Sequence, residues 1–279
     1  MEVLVATLLT IITAATPLLY AAIGEMVTEK SGVLNLGVEG MMLVGAVVAF
    51  ATIHTTGSAT LAILAGLLGG AGLSMIFALL VLGFQSSQVA TGLALTIFGI
   101  GLSALLGQNL VGIAYDGLPN LHIPGLSSIP VVGPLLFQHD ILVYGSIVLV
   151  FAVAWFLNRT RAGLILRAVG DSHDAAHAIG YPVLRIRFLA ILFGGGMAGI
   201  AGAYLSLAYS PLWIENMSAG RGWIALALVV FASWRPWRVF VGAYLFGGIT
   251  ILQLHAQALG IGVPSQVMSM LPYIATIVV

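Results

Sequence analysis

Between residues 31 and 158 the chain carries no lysine and no arginine. A soluble domain keeps about a quarter of its residues charged, so a stretch this long without a basic side chain has no aqueous surface to cover. The composition agrees: 60% of the 279 residues are hydrophobic and 6% charged, with nine Lys plus Arg balanced by nine Asp plus Glu. Lipid offers backbone amides no water, so a chain within it is helical or closes into a barrel. The apolar runs here are continuous rather than alternating, which excludes barrel strands. The expected fold class is all-α, a polytopic bundle of membrane helices. Without cysteine there is no disulfide framework, thiolate metal site or cysteine nucleophile. Zero net charge leaves no basic footprint for nucleic acid.

A bilayer core about 30 Å thick takes about 20 apolar residues per helical crossing. Nine crossings are predicted, near 3–24, 36–53, 59–83, 89–108, 140–157, 188–209, 222–234, 239–256 and 265–279. Arg159, Arg161, Arg167, Arg185 and Arg187 bracket one polar segment, and Arg235 and Arg238 mark another. Basic residues stay on the cytoplasmic side, which places the 158–187 loop inside, the N-terminus outside and the C-terminus inside. The linker with Glu215, Asn216 and Arg221 then falls outside. The second and seventh crossings are short, a pattern that in transporters marks discontinuous helices lining a substrate path. The first lacks a basic flank and exceeds a signal-peptide core in length, so it is expected to be retained. The last stops at Val279 without a polar flank, as in a truncated chain. No linker, low-complexity tract or repeat divides the sequence, so residues 1–279 read as one transmembrane domain. The proline-bearing connection 109–140 is expected on the external surface.

Glycine falls inside these crossings rather than at their ends. Gly66-Leu-Leu-Gly-Gly70 and Gly195-Gly-Met-Ala-Gly199 are small-xxx-small patterns that let helix backbones approach closely. Thr7, Thr10, Thr13 and Thr16 share one face of the first crossing, placed to bond a neighbouring helix or simply to pack. Gly194-Gly-Gly-Met-Ala-Gly199 matches the dinucleotide fingerprint only formally, because it opens inside an apolar helix with no strand before it. His173-Asp-Ala-Ala-His177 sets two imidazoles at i and i+4, as in zinc proteases, but no third ligand follows. A capped helix fits better: Asp171 as N-cap, Asp174 at N3, and Gly180 with Pro182 as terminators, giving about eight residues and ~12 Å. The only lysine is Lys30, without the glycine pattern of a Walker A loop, so ATP dependence has to come from another subunit.

A carboxylate inside a membrane is costly and needs a reason. Glu39 either sits at the inner interface or pairs with a neighbour, or it lines a polar cavity, where it could also serve an ion-linked carrier. Asn35, Gln85, Ser86, Gln108, Asn109 and Gln253 are neutral hydrogen-bonding groups near helices and complete the candidate substrate pathway. Residues 85–88 equally suit a solvated turn.

Three blocks carry a family resemblance. Glu29-Lys-Ser-Gly-Val-Leu-Asn-Leu-Gly-Val-Glu-Gly-Met-Met-Leu-Val-Gly45 resembles the signature of permease subunits in the branched-chain amino acid, simple sugar and nucleoside group of bacterial ABC importers. Leu166-Arg-Ala-Val-Gly170, Asp174-Ala-Ala176, Gly180 and Arg185-Ile-Arg187, with Gly195 to Tyr204, are similar to that group's coupling loop and following helix. Gly220-Arg-Gly-Trp-Ile-Ala-Leu-Ala-Leu228 and Leu271-Pro-Tyr273 complete the pattern. The first block is most like the shorter permease of nucleoside importers. The resemblance implies a non-enzymatic subunit of a type II importer. Its partners would be two ABC ATPase subunits, a second homologous permease and an extracytoplasmic substrate-binding lipoprotein. This chain would bind no cofactor, with ATP and Mg on the ATPases. It further implies a coupling helix at 172–179, contacting the ATPase through Arg167, Asp171, Asp174, Ala175, Ala176 and Gly180. His173 and His177 depart from the commoner residues of that loop. Riboflavin, a simple sugar or a branched-chain amino acid is the alternative solute.

Overall fold

Long apolar runs without breakers close their amide ladders as helices. In a computed structural model, which describes residues 2–121, 132–258 and the isolated positions 267, 270, 273, 274 and 277, they form a helical bundle. In chain order the elements are α1 (Glu2–Lys30), α2 (Val38–Thr56), α3 (Ala59–Ala78, continued by a π turn at Leu79–Gly83) and α4 (Gln88–Gly107). They continue as α5 (Val132–Phe137), α6 (Ile141–Arg159), α7 (Arg161–Asp171) and α8 (His173–Ala178). The last three are α9 (Val183–Tyr204, with a π turn at Leu205–Tyr209), α10 (Arg221–Phe231) and α11 (Pro236–Ala258).

Among the described residues, seven helices are long and apolar enough to cross a membrane: α1, α2, α3, α4, α6, α9 and α11. The expected nine is therefore corrected. The segment predicted at 222–234 forms α10, whose 11 residues span only ~16 Å. The one predicted at 265–279 lies outside the continuously described residues. The first crossing is also longer than expected, because nothing breaks the helix between Gly24 and the Ser31-Gly32 turn.

α9 lies at the centre, packed against α1, α2 and α3. Both small-xxx-small patterns meet there. A Cβ on Gly70 would fall 2.6 Å from Gly199 Cα, and one on Gly45 of α2 would fall 2.5 Å from the same atom. Only backbone fits between these helices, and the contact is made of dispersion rather than of an aqueous hydrophobic effect. Cross-helix hydrogen bonds add to it, from Thr28 Oγ1 to the Ala190 carbonyl (3.1 Å) and from Ser206 Oγ to the Ala46 carbonyl (2.9 Å). The threonine face of α1 bonds chiefly along its own helix. Thr10, Thr13 and Thr16 donate to carbonyls of their own helix, at 2.8, 3.0 and 2.9 Å. Outward faces carry exposed Leu68, Ile97, Val148 and Leu252, as a lipid-facing surface requires.

The bundle has two unlike ends. One holds the end of α1, the α3–α4 turn, the whole 159–187 connection and the α10–α11 turn. The last is placed there by a hydrogen bond from Trp234 Nε1 to Glu29 Oε2. Eight of the nine basic residues belong to this end, all except Arg221. At the other end, residues 110–121 run beside residues 207–213 through bridges Val111 to Trp213 and Ala114 to Leu212.

Candidate functional site

Two helices start inside the bundle rather than at its ends. After α1, Gly32 turns the chain back with φ +82°, and residues 33–37 descend as an irregular segment before α2 begins at Val38. Asn35 organises this segment. Its Oδ1 accepts the Gly37 amide at 2.9 Å, its own amide donates to Glu25 Oε1 at 2.9 Å, and its Nδ2 lies 3.4 Å from Met41 Sδ. From the far end, residues 214–220 enter with left-handed backbone at Asn216, Ala219 and Gly220, and α10 starts at Arg221.

Both starts converge on Glu39, which is buried. Its Oε1 accepts the Ser218 hydroxyl at 2.6 Å and the Gly220 amide at 2.7 Å, while Oε2 accepts the Gly222 amide at 2.6 Å. Gly220, as N-cap, has no side chain to supply, so a carboxylate from 180 residues away caps α10 instead. Each helix N-terminus carries about +0.5 charge, so the starts of α2 and α10 together complement one negative charge. The neighbouring Gly40 packs on Leu95 and Thr96, the latter eight residues into α4, so Glu39 lies ~12 Å from the basic end. Of the two structural alternatives for this residue, pairing with a neighbour describes its contacts. Gly222 is required at this spot, since a Cβ there would fall 2.6 Å from Glu39 Cα.

Arg221, expected on an outer loop, instead opens α10 at this depth. Its Nη1 bonds the Met217 and Ser218 carbonyls at 3.3 and 3.2 Å, and its guanidinium lies 4.9 Å from the Tyr209 ring centre. Length decides the difference: α10 is too short to reach the far end.

A second buried carboxylate, Glu25, was not among the candidates because the first crossing was expected to end before it. Its Oε1 holds Asn35, and Oε2 is buried without a hydrogen-bond partner. The missing signal was local: residues 25–30 contain no helix breaker.

At the basic end, α7 and α9 pack onto the start of the same linker, and α8 packs on both of them. Gly170 approaches so closely that a Cβ would fall 2.9 Å from the Lys30 carbonyl carbon, and Arg187 Nε donates to the Ser31 carbonyl at 3.0 Å. The expected helix at 172–179 appears as α8, with six residues. Its cap is corrected. Ser172 Oγ accepts the Ala175 amide at 3.3 Å, whereas Asp171 is the last residue of α7 and Asp174 sits at N2. The reason is that α7 continues helically through Asp171, so the break comes one residue later. Gly180, with φ +91°, ends α8 as expected. Only Ala176 is buried, against Val169 and Val183, and Asp171, Asp174, Ala175 and Gly180 face outward. Arg167 is half-buried, its Nε without a partner. Among the described residues no three His, Asp or Glu side chains stand together as a metal set.

The remaining pathway candidates are scattered. Gln85 and Ser86 form the α3–α4 turn, where Gln85 has φ +53° and Ser86 Oγ lies 2.8 Å from Thr91 Oγ1. Gln108 and Asn109 are exposed at the opposite end, and Gln253 lies on α11. The structure thus brings together Asn35 and Glu39, with Glu25 and Ser218 added, and leaves the other five apart.

A multi-pass helical bundle with interrupted helices meeting at a buried carboxylate is the architecture of a membrane transport protein. The chain matches the family described as branched-chain amino acid transport system, permease component, over residues 7–279, and it belongs to that family. It is 42% identical over 95% of its length, and 88% of the relative's, to TsgC13 of Haloferax volcanii, whose name provisionally assigns it as a glucose ABC transporter permease. It is 33% identical to the nucleoside ABC transporter permease protein NupC of Lactococcus lactis, over 95% of this chain and 88% of that one. The guanosine ABC transporter permease protein NupQ of Bacillus subtilis is 31% identical over 94% and 87%. No solved structure matches. This is the permease component of an ABC importer, a transport subunit of the membrane.

Proposed function

We propose that this permease imports nucleosides. It works beside a second homologous permease, two ABC ATPase subunits and an extracytoplasmic substrate-binding lipoprotein, and the ATPases hold ATP and Mg. The basic end faces the cytosol, consistent with eight of nine Lys and Arg lying there. One observation carries the reading: an unbroken line of contacts from α8 to Glu39. It runs through Ala176 and Val169, Gly170 against Lys30, Arg187 on Ser31, and Asn35 on Glu25, to the paired starts of α2 and α10. Closure of the ATPase dimer on α8 would move the linker and both helix starts. That shifts the population between outward-open and inward-open bundles.

Nucleosides are supported by the names of NupC and NupQ and by the resemblance of residues 29–45. A simple sugar is the second reading, favoured by the 42% identity to TsgC13. Reconstitution with the cognate ATPase and binding protein, using labelled guanosine and labelled glucose, separates them, since each reading predicts accumulation of one solute. Uptake that continues without the ATPase and collapses with an ion gradient would overturn both in favour of an ion-linked carrier.

The coupling role makes its own prediction. Asp174→Ala removes an exposed carboxylate from the docking face, and Gly180→Val forces a β-branched residue into left-handed backbone. Transport per ATP hydrolysed is expected to fall about tenfold, ~1.4 kcal/mol in the coupled step, while the bundle stays assembled. Equal stoichiometry in wild type and variants would remove α8 from the mechanism.

A further inference from the structure

The end of the bundle opposite the arginines holds a cavity of about 430 Å³, bounded by α1, residues 116–120, residues 134–140 and the end of α9. That volume is in the range of small-molecule sites, roughly 300–1,000 Å³. Thr13 of its wall is 17 residues from Lys30 along α1, so the cavity lies ~25 Å from the basic end and well away from Glu39.

The wall is rich in acceptors, with Gln138 and His139 among its other polar groups. Thr10 and Thr13 have already donated their hydroxyl protons to their own helix and offer only lone pairs. Asp116 and Asp140 add two carboxylates, and Asn120 an amide. Asp140 is buried and caps α6 through Oδ1, which accepts the Leu142 and Val143 amides at 2.9 and 3.2 Å. Burial pushes its carboxyl above the ordinary range, opposed by those amides. Most telling is Tyr204. It lines the cavity, is buried, and its hydroxyl makes no hydrogen bond of full geometry, with Thr16 of α1 only a weak partner. A buried hydroxyl left so is costly, and such groups call for an explanation.

An anion does not suit this wall, which has two carboxylates and no lysine or arginine. A coordinated metal does not suit it either, as among the described residues no group of three metal-binding side chains occurs. A neutral ligand that donates several hydroxyl protons does. A pair of vicinal hydroxyls can divide its protons between Asp140 and Asp116, and Leu9, Leu118 and Pro211 offer an apolar wall for the C–H face of a ring. We propose that this cavity binds the hydroxylated ring of the transported solute at the mouth of the permease, through Tyr204 and Asp140. The identity of the ligand as the transported solute rests on the function proposed above; the ring chemistry does not. Ribose of a nucleoside and a free hexose share it.

The test uses the whole importer, solubilised without its binding protein, with guanosine and glucose as separate probes in ligand-detected saturation-transfer NMR. Tyr204→Phe deletes one oxygen whose approach to Thr16 falls short of full hydrogen-bonding geometry, so its melting temperature stays close to wild type. Asp140→Asn keeps an N-cap residue on α6. Saturation of ring protons is expected in wild type, with each variant weakening the dissociation constant about fivefold, the loss of one net hydrogen bond. A response to guanosine alone points to ribose, and to glucose alone points to a hexose. An importer that accumulates either probe in proteoliposomes, yet binds it equally in wild type and both variants, overturns the site and leaves the transport reading standing. Variant-sensitive binding of a probe that is never accumulated supports the site and overturns the transport reading. Absence of both binding and accumulation overturns the two together.

Discussion

Glu39→Ala is expected to give no uptake and little folded permease. It strands the Ser218 hydroxyl and the Gly220 and Gly222 amides in a buried site. Each stranded donor costs about 1–3 kcal/mol. Three of them, even after partial repacking, approach the ~5–15 kcal/mol by which a folded protein is stable. Glu39→Gln is the informative contrast. Its amide oxygen can still accept from Ser218 and Gly220, but its NH2 group meets the Gly222 amide, donor against donor. A folded protein with uptake lowered about tenfold is expected, equivalent to ~1.4 kcal/mol. Thermal unfolding of the solubilised protein, read beside uptake in proteoliposomes, checks both variants. An alanine variant that melts and transports like wild type would mean that α10 is held by something other than this carboxylate.

Gly199→Val carries the other large effect. A Cβ at Gly199 would lie 3.0 Å from the Gly70 amide nitrogen and 3.1 Å from the Gly66 carbonyl carbon, and Gly199 Cα already closes on Gly45 of α2. The obstacles are backbone atoms on two helices, so no side chain can swing aside. Overpacking a core costs about 1–3 kcal/mol and sometimes more. Here three helices must separate, and the variant is expected to lose the monodisperse peak in size-exclusion chromatography of solubilised membranes. Gly72→Ala is the control. Nothing lies within 4 Å of its added Cβ, and it sits inside α3, where alanine exceeds glycine in helix propensity by about 1 kcal/mol. It should melt no lower than wild type. Comparable losses in both variants would show that glycine is demanded along these helices for a reason other than close approach.

The two sites differ in how far the sequence exposes them. The glycine patterns at 66–70 and 195–199 are legible because spacing along one helix sets which residues share a face, and a face of glycines can serve only close packing. That they meet one another, with Gly45 as a third party, is not written in either pattern. The Asp174-to-Gly180 turn was visible for a similar local reason. Its cap lies one residue later than expected because α7, an amphipathic helix with no membrane-length apolar run, continues through Asp171.

Glu39 stood out as a charge in an apolar run, but its partners did not. Ser218, Gly220 and Gly222 are small residues about 180 positions away, and although Gly220 and Gly222 belong to a block of the family pattern, nothing in that block names Glu39 as their partner; Tyr204 reads from sequence as one more aromatic in a helix. The chain by itself determined that it is a helical membrane permease with one basic end, since a bilayer admits few solutions to burying backbone amides and charge asymmetry is a matter of counting. Which helix starts face each other, which glycines touch, and which hydroxyl is left poorly paired were decided only by the tertiary structure. Those depend on distances between residues that no local spacing encodes.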